Sequence, residues 1–419
     1  MGKGTKSNGF QMTNLKYFVL YGVLFEVMTN LYKPFGAKFL QRLGGTELHI
    51  SLLNALPGVV MFLTVLPGTL LLNRLSQRKK GIAATILLGR VCIFLYAMVP
   101  FMPEAWQPMS FVVITAMMSL PTAIYLSGFQ GFIGDVFPEE KRAKAIGQKN
   151  LFGAIAVMVV TLLSGQILAN LPGSDAQRIL IYQIFFVIAF VLGLIEIGIF
   201  MKMKPVTKHV PKRVTSRQAF TTVFSDEKFK LFLVCSLLFH FGWQMGWPLF
   251  SIYQIQYLGA DEMWLSIIRL ASFITMIAGY RIWPKLIDRW GNPMVTAICT
   301  VGMAMTPVLH ILAKDLYVLT GISVITGVFT SGTVTVLLSG LLEVIPQDKR
   351  IVYMGVYNTF INLSLAVSPM VGHFMLSSNG IYFALWTTGF FRLVGGLAFC
   401  LRSYWIHKNR EQQALVKAS

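Results

Sequence analysis

The chain has 419 residues, 55% of them hydrophobic and only 13% charged, against roughly a quarter charged in soluble globular domains. A mean hydropathy of +0.64 excludes a water-soluble fold. The net charge of +19 then has no polar body that would carry it as a nucleic-acid surface, so nucleic acid is not an expected partner.

Apolar segments long enough to cross a hydrocarbon core of about 30 Å, which takes roughly 20 helical residues, recur along the whole chain. The pattern predicts twelve spans, at 15–41, 47–73, 80–102, 106–134, 143–171, 177–202, 228–258, 262–287, 293–313, 316–341, 351–376 and 380–406. The leading "MGKGTKSNGFQMTNLK" is polar and lacks the pattern of a cleavable signal peptide. Cations gather in "NRLSQRKK" after span 2, "EEKRAKA" after span 4 and "KMKPVTKHVPKRVTSRQ" after span 6, whereas the joins at 103–106, 259–262 and 377–380 carry no Lys or Arg. The positive-inside rule therefore predicts that both termini are cytoplasmic, with the lipid bilayer as the chain's surroundings. The one Asn-x-Ser/Thr sequence, at Asn362, falls inside a span, which points to a bacterial cytoplasmic membrane. Cys92, Cys235, Cys299 and Cys400 lie in apolar runs without CxxC or Cys/His spacing, so no metal, cofactor or disulfide frame is expected.

The polar stretch 203–227, with Pro205 and Pro211, divides the chain into an expected six-helix bundle 1–202, a cytoplasmic linker and a second bundle 228–419. The two bundles repeat one design. At an offset of 214, Pro34 falls on Pro248, Gly45 on Gly259, Glu26 on His240 and Asn30 on Gln244. At 215, Asn73 and Arg74 after span 2 fall on Asp288 and Arg289 after span 8; at 208, Asp135 and Arg142 fall on Glu343 and Arg350. The last four residues are acids at helix ends and bases at helix starts, each opposed to its own helix dipole. Partners elsewhere are expected for them: each other, or the charged turns after spans 2 and 8.

Two like six-helix halves, with "GYRIWPKLIDRWGNP" from Gly279 carrying Asp288-Arg289-x-Gly291 after the second span of a half, resemble the major facilitator superfamily. The resemblance implies an all-α integral membrane fold of twelve transmembrane helices in two pseudo-symmetric bundles. It also implies a non-enzymatic secondary transporter that rocks one half against the other, acts as a monomer and moves a small-molecule substrate with a proton or other coupling ion. Asp288, Arg289 and Gly291 would hold the cytoplasmic side closed in one state. Asn73 and Arg74 would be the weaker counterpart, since Asn73 brings no charge.

Glu26 and His240 stand at matching places in spans 1 and 7, and both side-chain types change charge readily when partly buried. Two readings stand for them: proton coupling and substrate contact, or internally satisfied core residues. Arg90, in the middle of span 3, cannot shed its charge and needs an anion, either Glu26 or a substrate carboxylate or phosphate. Arg269 in span 8 is a further candidate cavity residue that could receive a substrate carboxylate or phosphate, or else it snorkels outward. His240, Trp243, Gln244 and Trp247 share one helical face, and Asn30, Tyr125, Gln130, Asn358 and Asn362 are further candidate cavity walls. Glu196 and Arg392 are mid-span charges on helices that the resemblance places at the outer flank, and no role follows for them. Multidrug export is the alternative within the superfamily, weakened because span 5 lacks a Gly-Pro-x-x-Gly-Gly run. A membrane sensor and an intramembrane enzyme are the rival classes, and the sequence contains neither an output domain nor a convergent catalytic set.

Overall fold

The computed structural model describes residues 2–74, 77–137, 139–205, 221, 223–346 and 349–418. Their secondary structure is helical throughout, as a bilayer demands, because each backbone N–H and C=O must find its partner within its own segment. The long helices are α1 Gly2–Tyr32, α2 Glu47–Arg74, α3 Arg78–Met98, α4 Gln107–Val136, α5 Glu139–Asn170, α6 Asp175–Lys202, α7 Glu227–Ile252, α8 Glu262–Trp290, α9 Asn292–Leu312 and α10 Leu316–Val344. A last continuous stretch, Arg350–Ala418, is divided at Gly380 (φ 82°, ψ 172°) into α11, 350–379, and α12, 381–418. The order of elements matches the twelve expected spans. Ten helices among the described residues are long and apolar enough to cross a membrane when the stretch 352–409 is taken as one.

Local chemistry sets the ends. Span 1 does not run unbroken to residue 41: Pro34, which has no N–H to donate, opens a 3-10 turn at Lys33–Phe35, and a short helix Gly36–Arg42 follows. Helix α1 also begins at Gly2 instead of near residue 15. Ser174, Asp226 and Asp315 cap α6, α7 and α10 by accepting hydrogen bonds from the first-turn amides Gln177, Lys228 with Phe229, and Val318. Gly44 and Gly259, 215 residues apart, end the first helix of each repeat at φ 81° and 69°. The matched turn position is therefore Gly44, since Gly45 does not take the positive φ.

The chain forms two compact units: the described residues within 1–49, 63–216 and 261–266, and those within 50–62, 217–260 and 267–419. Most of the expected linker lies outside the described residues. In the first unit α1 packs on α5 and α6, and α3 on α4 and α6, around Phe18, Tyr21, Phe129, Phe132 and Phe200. In the second, α7 packs on the α11–α12 stretch, and α9 on that stretch and α10, around Phe229, Phe232, Phe239, Trp283 and Phe399. Lipid tails solvate leucine as well as a protein core does, so close helix contact here depends on small residues. A Cβ on Gly395 would lie 2.3 Å from Phe239 Cα, and one on Gly242 would lie 2.5 Å from the Arg392 amide nitrogen.

Candidate functional site

The first unit buries an ion pair at its centre. Arg90 of α3 donates from Nε (3.0 Å) and Nη2 (2.7 Å) to Oε2 of Glu196 on α6. Gly193, one turn before Glu196, makes room for the pair, because a Cβ there would stand 2.5 Å from Arg90 Cδ. The guanidinium lies over the Phe25 ring, 5.7 Å from its centroid. Beside the pair, the Tyr21 and Tyr125 hydroxyls hydrogen-bond to one another. Arg90 thus meets its anion in Glu196 and not in Glu26, and Glu196 turns inward from its helix, with an exposure of 0%.

Glu26 is half-buried on α1. Asn30, one turn on, donates from Nδ2 to the Glu26 carbonyl (2.9 Å) and to Oε2 (3.3 Å). A Cβ on Gly153 of α5 would lie 3.2 Å from Glu26 Cγ, so α5 passes close by. Tyr125 belongs to the aromatic core of this unit, with Tyr21, Phe25 and Phe129 around it.

The first unit also holds a charged cluster that sequence reasoning missed. Arg42 grips Glu262 with two bonds, Nε to Oε1 at 2.7 Å and Nη2 to Oε2 at 2.9 Å, and pairs with Asp175 through Nη1. Glu262 is fully buried and also accepts from the Tyr182 hydroxyl at 3.1 Å. Burial alone would lower the Arg42 pKa, but the Glu262, Tyr182 and Asp175 partners outweigh it and the value is raised. One turn along α8, Ser266 Oγ donates to the Thr161 carbonyl at 2.9 Å. A sequence signal was present: Glu262 and Asp175 are acids in joins where cations are scarce. Next to Arg42 a polar cavity of about 700 Å³ is lined by His49, Glu104 and Gln107.

In the second unit His240 is buried, its Nδ1–H donating to the Ser236 carbonyl at 2.8 Å and its ring packed against Phe239, Trp243 and Tyr357. Gln244 donates to the Ile361 carbonyl at 3.3 Å, and its Oε1 has no partner. Trp243 and Trp247 meet edge to face, with Trp247 partly exposed. Asn362 donates to the Asn358 carbonyl at 2.8 Å, and Arg269 is exposed. Arg392, placed on the flank by the sequence reading, is wholly buried. Its donors reach only carbonyls: Gly242 (3.2 Å), Met303 (3.2 Å) and Trp243 (3.1 Å). An apolar groove of about 720 Å³ runs along Leu237, Phe241, Phe360, Leu363, Ser364 and Phe391.

Of the cytoplasmic residues, Asp135 stands 3.6 Å from Arg78, the cation that opens α3. Asp288, Arg289 and Glu343 are exposed, and Gly291 takes a φ of 79° where α9 begins. Glu343 faces Arg402 electrostatically. The side chains of Asn73, Arg74, Gln130, Arg142 and Arg350 lie outside the described residues.

No curated protein matches the sequence. Among solved structures, the fold is similar to a point mutant of the nucleoside transporter NupG, with a TM-score of 0.71 and 13% identity over 93% of this chain and 99% of that one. It is also similar to a bacterial homologue of the human lysosomal transporter Spinster in an inward-facing, unoccupied conformation, with a TM-score of 0.68 and 12% identity over 94% and 97%. The family model described as Major Facilitator Superfamily matches twice, over residues 18–239 and 232–417. With both halves matched and twelve helices in the order that the repeat requires, this multi-pass membrane chain belongs to the Major Facilitator Superfamily.

Proposed function

We propose that the chain is a secondary active transporter that carries a small organic solute by rocking its halves between two states, with a proton as the coupling ion. The observation that carries this reading is the Arg90–Glu196 pair with Glu26 on the helix beside it. Charges inside a membrane bundle are expensive and mark ion and solute pathways by default. Glu26, Arg90 and His240 are the proposed coupling and contact residues, and Asn30, Trp243, Gln244, Trp247, Asn358 and Asn362 the proposed walls. Asp135, Asp288, Arg289 and Glu343 are proposed to trade partners at the cytoplasmic side between states. The transporter is read as a monomer of a bacterial cytoplasmic membrane with both termini inside.

The test is solute flux into proteoliposomes with and without a pH gradient, beginning with nucleosides because the structural neighbour NupG transports them. Gradient-dependent flux that is lost in Glu26→Gln supports the reading. Flux that is the same in wild type, Glu26→Gln and His240→Ala removes both residues from coupling.

A further inference from the structure

We propose that Lys149 of α5 is a solute-binding residue, and that the solute it grips is an organic anion held through a carboxylate or phosphate. The site lies where α1 packs on α5. Lys149 is half-buried, one turn inside the span Ala145–Asn170. Its stem is seated in a notch at Gly22 of α1: a Cβ there would stand 2.3 Å from Lys149 Cγ, 3.0 Å from Cδ and 2.8 Å from Cε. The ammonium at the end of that stem offers three donors, and among the described residues it makes no hydrogen bond or ion pair. Other cations of the first unit end on acceptors within it: Arg90 on Glu196, Arg42 on Glu262 and Asp175, Arg78 on Asp135, and Lys79 on the Met201 and Met203 carbonyls.

Glu26 stands one turn beyond Gly22 on α1 and against Gly153, one turn beyond Lys149 on α5, where a Cβ would lie 3.2 Å from Glu26 Cγ. The two charges thus share one packed seam, yet among the described residues no ion pair joins them. Asn30 Nδ2 holds Oε2 of Glu26 instead, at 3.3 Å. A lysine placed only to cover apolar surface sends its head to the membrane interface and needs no glycine cut into the facing helix. Charge kept inside a membrane bundle without its available partner is expensive and marks a solute pathway. Gly22 and Glu26 are separated by about 6 Å of helical rise, so a solute lying along the seam meets an ammonium at one end and a carboxylate at the other. The matching class is an organic acid whose oxyanion faces Lys149 and whose hydroxyl or amino group donates to Glu26. This narrows the small organic solute of the transport reading above, on which it rests for passage across the membrane but not for binding.

The test is thermal unfolding of the full chain in phosphatidylcholine vesicles, titrated at constant ionic strength with inorganic phosphate and with D-glucuronate, and with D-glucose as the neutral match. A rise in melting temperature with either anion, and none with glucose, is expected in wild type and in Lys149→Arg. In Lys149→Met, which keeps the stem over Gly22 and loses the charge, the apparent Kd of that anion should rise about tenfold or more. Should Lys149→Met not fold, Gly22→Ala, which displaces the stem and leaves the lysine in the chain, takes its place with the same expectation. Anion responses that are equal in wild type and variant, or absent from both, overturn the proposal. So does a response that only vesicles of anionic lipid produce, which would make Lys149 a headgroup contact. Flux that ignores a pH gradient would overturn the coupled-transport reading instead and leave these shifts unchanged.

Discussion

Removing only one member of the Arg90–Glu196 pair should be far more damaging than removing both. In Glu196→Leu the Arg90 guanidinium, which donates twice to Glu196 and is 8% exposed, is left charged without an anion. Breaking a buried pair in this way costs about 3–5 kcal/mol, whereas replacing both members with apolar residues of similar volume is often neutral or stabilising. Leu and Met match the lost volumes closely enough for Arg90→Met/Glu196→Leu to serve as that replacement. At about 2–4 °C per kcal/mol for a unit of this size, the single change lowers the melting temperature by roughly 6–20 °C. The double change should recover most of the loss. Thermal unfolding of the purified chain in detergent, followed by tryptophan fluorescence, reads the difference. Equal losses in the single and double variants would refute the reasoning, because the cost would then come from packing and not from an uncompensated charge.

Two further outcomes are expected. Arg42→Lys keeps the charge but cannot make the two-bond grip on Glu262, and so should lower stability by about 1–3 kcal/mol, read as an earlier unfolding transition. Gly380→Ala meets open space, since nothing lies within 4 Å of the added Cβ, yet it forces φ 82°, ψ 172° on a residue with a side chain. The backbone alone should then cost about 1–3 kcal/mol, and a melting curve unchanged by that substitution would contradict the assigned α11–α12 break.

The helices were legible because apolar length is a property of consecutive residues. The order of twelve spans, the turn at Gly291 and the repeat all follow from local composition and spacing. The break at Lys33–Phe35 was less so: Pro34 signalled a bend, yet its repeat mate Pro248 is carried inside α7, so the residue type alone does not decide between bend and break. Partner choice among the buried charges was not legible. Arg90 and Glu196 are 106 residues apart, Arg42 and Glu262 220 apart, and which charges meet depends on which helices are neighbours and how each is rotated. Periodicity within a span contains no information on either point.

The repeat offers a way to ask why the guanidinium bridge of the first unit ends on an acid and that of the second does not. Arg90 and Met303 are 213 residues apart, close to the offset that superimposes the first helices of the halves, so α3 and α9 hold equivalent places. In the first unit a guanidinium on α3 crosses to α6; in the second a guanidinium on α12 crosses to α9 and ends on the Met303 carbonyl. The same helix pairing is bridged each time, but the cation comes from opposite members and only the first bridge ends on a carboxylate. Carbonyl oxygens already engaged in helices hold Arg392 at any ordinary pH, because no proton alters them. The location of the bridge is therefore shared by the two units while its acceptor is not: the first ends on a carboxylate and the second on backbone carbonyls.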